Sequence, residues 1–189
     1  MLLAHKFETW PRMEMGLPCR SDLLIEVMYS DLWEFDKTRQ REHPVQQETE
    51  TIAVRMGKQQ MGVRFMDSHV VVDGYHIDKF PIVMRFCNMF LQEFGGELGR
   101  VNLVRLPPEK QVYEHIDAGR YYADRDRFHY VIQGTYDYTV QGNTHRFSQG
   151  EFWWFDNQVP HSAVNVGTDD RIVLIFDVKG ASWRDRESV

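Results

Sequence analysis

Short strand-like runs at near-regular spacing across residues 98–180 predict a mainly β fold with flanking helices, of the barrel or jelly-roll kind. Three observations carry this. β-Branched and aromatic residues fill the runs, turn signals separate them, and a helix-bearing stretch precedes them.

The first half holds helices and an extra strand. Ser21–Phe35 has apolar residues at helical spacing behind Ser21, which is placed as the N-cap. Asp36–Glu50 is charged and reads as a loop, a candidate lid or disordered connection. Thr51–Met56 reads as a strand. Asp78–Phe94 reads as an amphipathic helix with Pro81 in its first turn and Gly95-Gly96 at its end. Val101–Leu106 is then a strand closed by Pro107-Pro108. Gln111–Asp117, Arg127–Ile132, Thr135–Val140 and Thr144–Phe147 follow, the last two joined by the hairpin signal Gln141-Gly142-Asn143. The apolar run Gly150–Phe155, then His161–Val166, and Arg171–Val178 complete the series. No repeat or linker divides the chain. It reads as a single domain over 1–189, with a helical and extra-strand part at 1–97 and the β core at 98–180.

Composition excludes some functions. The formal net charge of -6 and the lack of a basic run argue against nonspecific nucleic-acid binding. No stretch approaches a membrane span, and the apolar run at Met1–Trp10 is too short for a signal peptide. Cys19 and Cys87 suggest no disulfide framework, which points to a reducing, cytoplasmic setting.

The chemistry is concentrated in the β core. His115 and Asp117 form an His-x-Asp pair, Arg127 and His129 an Arg-x-His pair, and His161 and Arg171 follow. On a strand, residues i and i+2 share a face about 7 Å apart, so each pair points one way. Two histidines and a carboxylate are the ligand set of a non-haem Fe(II) oxygenase, which leaves positions open for co-substrate and oxygen. The arginines offer forked donors for a dicarboxylate.

With these elements in place, the stretch from Gly99 to Lys179 resembles the aspartyl/asparaginyl β-hydroxylase family of 2-oxoglutarate/Fe(II)-dependent dioxygenases. The matching elements are Gly99–Pro108 before His115-Ile-Asp117, Arg127-Phe-His129, Gly150–Asp156, His161–Asn165 and Arg171–Asp177. The resemblance implies a double-stranded β-helix, a jelly roll of cupin type. It implies that His115, Asp117 and His161 bind Fe(II), and that Arg171 binds the distal carboxylate of 2-oxoglutarate. Arg127 and His129 would lie near the 2-oxo acid end. The implied reaction uses O2, with ascorbate as a possible support, to hydroxylate an aliphatic carbon of an amino acid or peptidyl residue. No side chain is assigned as a general acid or base.

Two other readings stand beside it. Gly150, His161 and Asn165 also have the spacing of the second cupin motif, which suits a metal cupin without 2-oxoglutarate, such as another oxygenase or an isomerase. The other is a metal-free binding module on the same fold. Substrate is expected to be a small molecule or peptide. The loop Ala118–Asp126 starts and ends beside the proposed metal, so Arg120, Tyr121 and Tyr122 are its candidate substrate contacts, against the alternative that its aromatics only pack. Trp153 and Trp154 must face opposite sides of their strand. Asn165 either supports the ligands or pairs with backbone, Asp177 reads as a strand-end polar residue, and His145 as a non-ligand.

Overall fold

A computed structural model describes residues 2–8, 10–11, 18–28, 30–34, 37, 40–41 and 43–186. Strand order explains the architecture. Strands β1 (Ala4–Lys6), β2 (Glu50–Gly57), β3 (Val71–Asp73), β4 (Glu97–Leu106), β6 (Asp126–Gln133), β9 (Phe152–Phe155) and β11 (Arg171–Lys179) form one antiparallel sheet, in the order β1-β9-β6-β11-β4-β2-β3. Strands β5 (Gln111–His115), β7 (Thr135–Val140), β8 (Asn143–Ser148) and β10 (His161–Asn165) form the other, in the order β5-β10-β7-β8. From β4 onward, successive strands are dealt between the two sheets, apart from the β7–β8 hairpin. That is the winding of a double-stranded β-helix, the cupin-like jelly roll. The N-terminal part adds β1 to one edge of the large sheet and β2 and β3 to the other.

Alternation along the large sheet divides its two faces. Ile172, Leu174, Phe176 and Val178 of β11, with Phe128, Tyr130 and Ile132 of β6, pack outward into the main hydrophobic cluster. Helix α1 (Arg20–Met28) and helix α2 (Pro81–Phe94) cover that face, the latter through Val83, Phe86, Cys87, Phe90 and Phe94. The intervening positions point between the sheets, where Val131, Tyr136, Tyr138, Trp153 and Phe155 form a second cluster. Trp153 and Trp154 fall on opposite sides, as strand parity demands: Trp154 donates to Asp126 at 2.8 Å on the outer side. Gln141 and Gly142 both have positive φ, 47° and 77°, as a two-residue type I′ hairpin requires.

Three local expectations need correction. The first helix is Arg20–Met28, followed by a 3₁₀ turn at Asp31–Glu34, and Ser21 lies inside it. The cap is Cys19, whose carbonyl accepts from Asp22 and Leu23, while Asp22 Oδ2 accepts from the Cys19 N–H at 3.0 Å. A carboxylate three residues into the helix, reaching back to the cap N–H, defines this start better than Ser21 did. Part of 36–50 lies outside the described residues. Its described end is a 3₁₀ turn, Pro44–Gln46, packed on β5 rather than an open lid. Finally, β5 ends at His115, so Asp117 lies just past the strand rather than on it. Cys19 and Cys87 are both free thiols. No helix among the described residues is long and apolar enough to cross a membrane.

Candidate metal centre

His115 and His161 sit directly opposite each other on β5 and β10. Their rings lie 4.3 Å apart between centroids. The chain leaves β5 after His115 and turns back. Asp117 is pinned there by its N–H, which donates to the Asn157 carbonyl at 3.0 Å. Its Oδ1 lies 3.8 Å from His115 Nε2, and its Oδ2 lies 4.0 Å from His161 Nε2. Donor atoms of all three residues fall within 4.8 Å of one another, a spacing that one ion can draw together.

Both imidazoles are held in the same tautomer. His115 Nδ1 lies 2.7 Å from the Tyr113 carbonyl, and His161 Nδ1 lies 2.9 Å from the Val159 carbonyl. A carbonyl only accepts, so each Nδ1 carries the proton and each Nε2 offers its lone pair to the centre. Burial disfavours a charged His161 more than Asp117 favours it, and its pKa falls to about 4. At neutral pH this ring is ready to ligate without losing a proton.

Asp117 is anchored on one side. Arg127 donates to its Oδ2 at 2.5 Å, and Asn157 Nδ2 donates to the same oxygen at 3.2 Å. With Oδ2 so engaged, Oδ1 is the oxygen left for single-point ligation. Burial opposes the Asp117 charge, but Arg127, His161 and His115 together outweigh it, and the carboxyl stays below its usual range. Arg127 in turn spans two carboxylates. Its Nε and Nη2 donate to Asp177 at 2.8 and 3.1 Å, and β6–β11 register places these two residues directly opposite. Asp177 is 1% exposed. It also accepts from the Tyr121 hydroxyl at 3.1 Å, and that oxygen accepts the Arg100 N–H at 2.7 Å.

This alters two expectations. Arg127 lines the cavity, yet its fork is engaged by Asp117 and Asp177 rather than aimed at an incoming acid. Tyr121 and Tyr122 are buried in a helical turn, α3 (Arg120–Ala123), with Tyr122 at the wall of a second cavity. Their rings stack around the Arg100 guanidinium, 3.9 and 5.4 Å from the centroids, and Tyr122 accepts from Arg100 Nη1 at 3.0 Å. Gly99 makes room for this, since a Cβ there would lie 2.3 Å from the Tyr121 hydroxyl. Arg120 is exposed, and its N–H donates to Asp67 at 2.9 Å.

The cavity beside the metal ligands is lined by His129, Arg171, Tyr138, Phe155, Val104 and Ile175, among others. Arg171 begins β11 and is 1% exposed. Its guanidinium lies 4.2 Å above the Tyr136 ring, and its Nε has no hydrogen-bond partner. A buried guanidinium that lines a cavity and keeps one N–H unpaired fits a carboxylate guest. His129 is also buried, with Nδ1 3.4 Å from the Tyr136 hydroxyl. Tyr136 thus stands between the two. It escaped sequence reasoning, although the alternation in β7 puts Tyr136 and Tyr138 on one face. Asn165 pairs with backbone: its Nδ2 donates to the Leu106 and Asp169 carbonyls, and its Oδ1 accepts from Gly167. Asp177 is a buried partner of Arg127 rather than a strand-end residue.

The donor set suits a divalent metal, and Arg171 with its unpaired Nε suits a dicarboxylic acid. Among solved structures, the chain is similar to a predicted oxalate decarboxylase of Thermotoga maritima, at 20% identity over 43% of this chain and 67% of that one, with a TM-score of 0.38. It is similar to the Cnp3 cupin domain of Schizosaccharomyces pombe, at 13% identity over 48% and 62%, with a TM-score of 0.38. A cupin domain of an XRE-family transcriptional regulator of Enterobacter cloacae matches at 15% over 42% and 79%, with a TM-score of 0.37. No curated protein matches the sequence. A family model described as aspartyl/asparaginyl β-hydroxylase matches residues 33–180, a span that holds every residue of this centre, and the chain belongs to that family.

Proposed function

We propose that this protein is a 2-oxoglutarate- and Fe(II)-dependent dioxygenase that hydroxylates an aliphatic carbon of an amino acid or peptidyl residue. The observation that supports this most is one cavity lined by His115 and His161 of the metal group and by Arg171, whose Nε is unpaired. The metal ligands alone would suit any metal cupin. Arg171 adds a reason for a dicarboxylic acid to bind beside them.

The roles follow from the contacts. His115 and His161 present Nε2 lone pairs in fixed tautomers, and Asp117 presents one oxygen. Three protein ligands leave half of an octahedral ion's positions for other groups. Arg171 anchors the far carboxylate of 2-oxoglutarate by a forked pair that a lysine cannot reproduce. His129 adds a polar group to the same cavity, and Tyr136 touches both His129 and Arg171 from behind its wall. Val104, Ile175 and Phe155 supply apolar wall beside these polar groups. When bound, iron supplies the redox chemistry that couples O2 and loss of carbon dioxide from 2-oxoglutarate, giving succinate, to hydroxylation of a C–H bond. No side chain is assigned a proton-transfer step. Ascorbate serves only to keep the iron reduced. Two free cysteines fit a reducing cytoplasm, and the partner is a small molecule or peptide, not a nucleic acid.

The test is succinate release from 2-oxoglutarate with Fe(II), ascorbate and O2, screened across free amino acids and peptides. Iron-dependent succinate formation stimulated by one substrate class is expected. Metal-dependent turnover that ignores 2-oxoglutarate would favour a different metal cupin. Binding of neither metal nor acid would leave a binding module.

A further inference from the structure

Among the described residues that line the cavity, Gln46 alone comes from outside the strands. It closes the 3₁₀ turn Pro44–Gln46, which packs on β5. This turn is firmly built. The Gln46 N–H donates to the His43 carbonyl at 2.8 Å, and the Gln46 carbonyl accepts from the Thr49 N–H at 2.9 Å and its hydroxyl at 2.8 Å. Glu48 accepts the Gln111 N–H at 2.8 Å and the Tyr113 hydroxyl at 3.4 Å. Glu50 pairs with Lys37 at 2.9 Å and with Arg105. The backbone at Gln46 is therefore fastened to the strand that ends in the metal ligand His115.

Its side chain is a different matter. Gln46 lines the cavity, and its amide makes no hydrogen bond to another described residue. An amide that lines a cavity on a fixed backbone, with no described side chain or main-chain group competing for it, is available to a guest. The same cavity holds Arg171 with an unmatched Nε.

We propose that Gln46 is a specificity-determining residue, whose amide hydrogen-bonds the 2-oxo dicarboxylic acid anchored by Arg171. This rests on the co-substrate reading above. Charge at Arg171 attracts any carboxylate. A neutral, fixed amide is directional instead, so it selects the acid whose length brings an oxygen within reach.

The experiment is calorimetric titration of Mn(II)-loaded protein with 2-oxoglutarate, oxaloacetate and 2-oxoadipate. Wild type is compared with Gln46→Leu, the nearly isosteric Gln46→Glu, and Arg171→Ala. Gln46→Leu should weaken 2-oxoglutarate binding about tenfold, the worth of one buried hydrogen bond, and narrow the preference over the shorter and longer acids. Gln46→Glu should weaken it further, since a carboxylate then faces a carboxylate. Mn(II) affinity and melting temperature should hold in Gln46→Glu. If both Gln46 variants bind all three acids like wild type, the proposal is overturned while the Arg171 reading stands. If Arg171→Ala binds like wild type but Gln46→Leu does not, the Arg171 anchor fails and the role of Gln46 survives. Wild-type protein that binds no 2-oxoglutarate overturns both.

Discussion

Replacing Arg127 with methionine should reveal how much of the site rests on one guanidinium. Methionine keeps much of the apolar volume and removes the charge. Arg127 makes three hydrogen bonds to Asp117 and Asp177, which are 6% and 1% exposed. Burial opposes its own charge, but the two carboxylates outweigh that and raise its pKa. Without it, two buried carboxylates face each other across the gap. Breaking a buried ion pair by removing one partner costs about 3–5 kcal/mol. In a chain of this size each kcal/mol moves the melting temperature by about 2–4 °C, so a fall of about 6–20 °C is expected. The assay is urea unfolding at neutral pH with chelator present, because a bound cation would neutralise Asp117 in place of the arginine. A double-mutant cycle with Asp177→Asn should show coupling above about 1 kcal/mol, since the second substitution removes one stranded charge. A loss below about 1 kcal/mol for Arg127→Met, or strict additivity with Asp177→Asn, would refute the reasoning.

Further outcomes follow from the same contacts. His161 is held near a pKa of about 4 in the folded metal-free protein, against 6.5 when unfolded. The unfolded chain therefore binds the extra proton first, and stability should fall as pH drops from about 6.5 toward 4, by roughly 3 kcal/mol. His161→Asn should flatten that slope in urea titrations, and an unchanged slope would count against this origin. Arg171→Lys should raise the 2-oxoglutarate dissociation constant about ten- to a hundred-fold while leaving Mn(II) binding intact. Equal affinity in a titration would remove Arg171 from its role. Cys19 is exposed, whereas burial pushes the Cys87 thiol up and shields it inside helix α2. A thiol reagent should thus modify Cys19 in native protein and reach Cys87 only in denaturant. Fast native labelling of Cys87 would contradict its packing.

Much of the strand series was legible because alternation and turn chemistry are local. The Tyr136–Tyr138 strand, its Gln141-Gly142 turn, and the split of Trp153 from Trp154 all follow from side-chain period. The proposed ligands were legible as residue types, yet their geometry was not a strand property. Asp117 meets His115 because its backbone is tied to Asn157, forty residues away. What stayed hidden depends on register between distant segments. Asp177 faces Arg127 through β6–β11 pairing, and no local pattern marks that match. Gln46 reaches the cavity from a turn whose place is set by Glu48 on β5. The tyrosines after Gly119 looked like displayed loop residues because their burial requires Arg100, on a strand earlier in the chain.

The tautomer lock on the two histidines has a consequence for how this site tolerates change. Both Nδ1 protons go to main-chain carbonyls, those of Tyr113 and Val159. A carboxylate or amide in that position can be lost in one substitution. A carbonyl is carried by every residue type, so any side chain at 113 or 159 that keeps the backbone in place leaves the ring orientation intact. Asp117 is the opposite case, since its hold depends on the side chains of Arg127 and Asn157. Mutational drift should therefore erode the carboxylate arm of the centre before it reaches the imidazole arms.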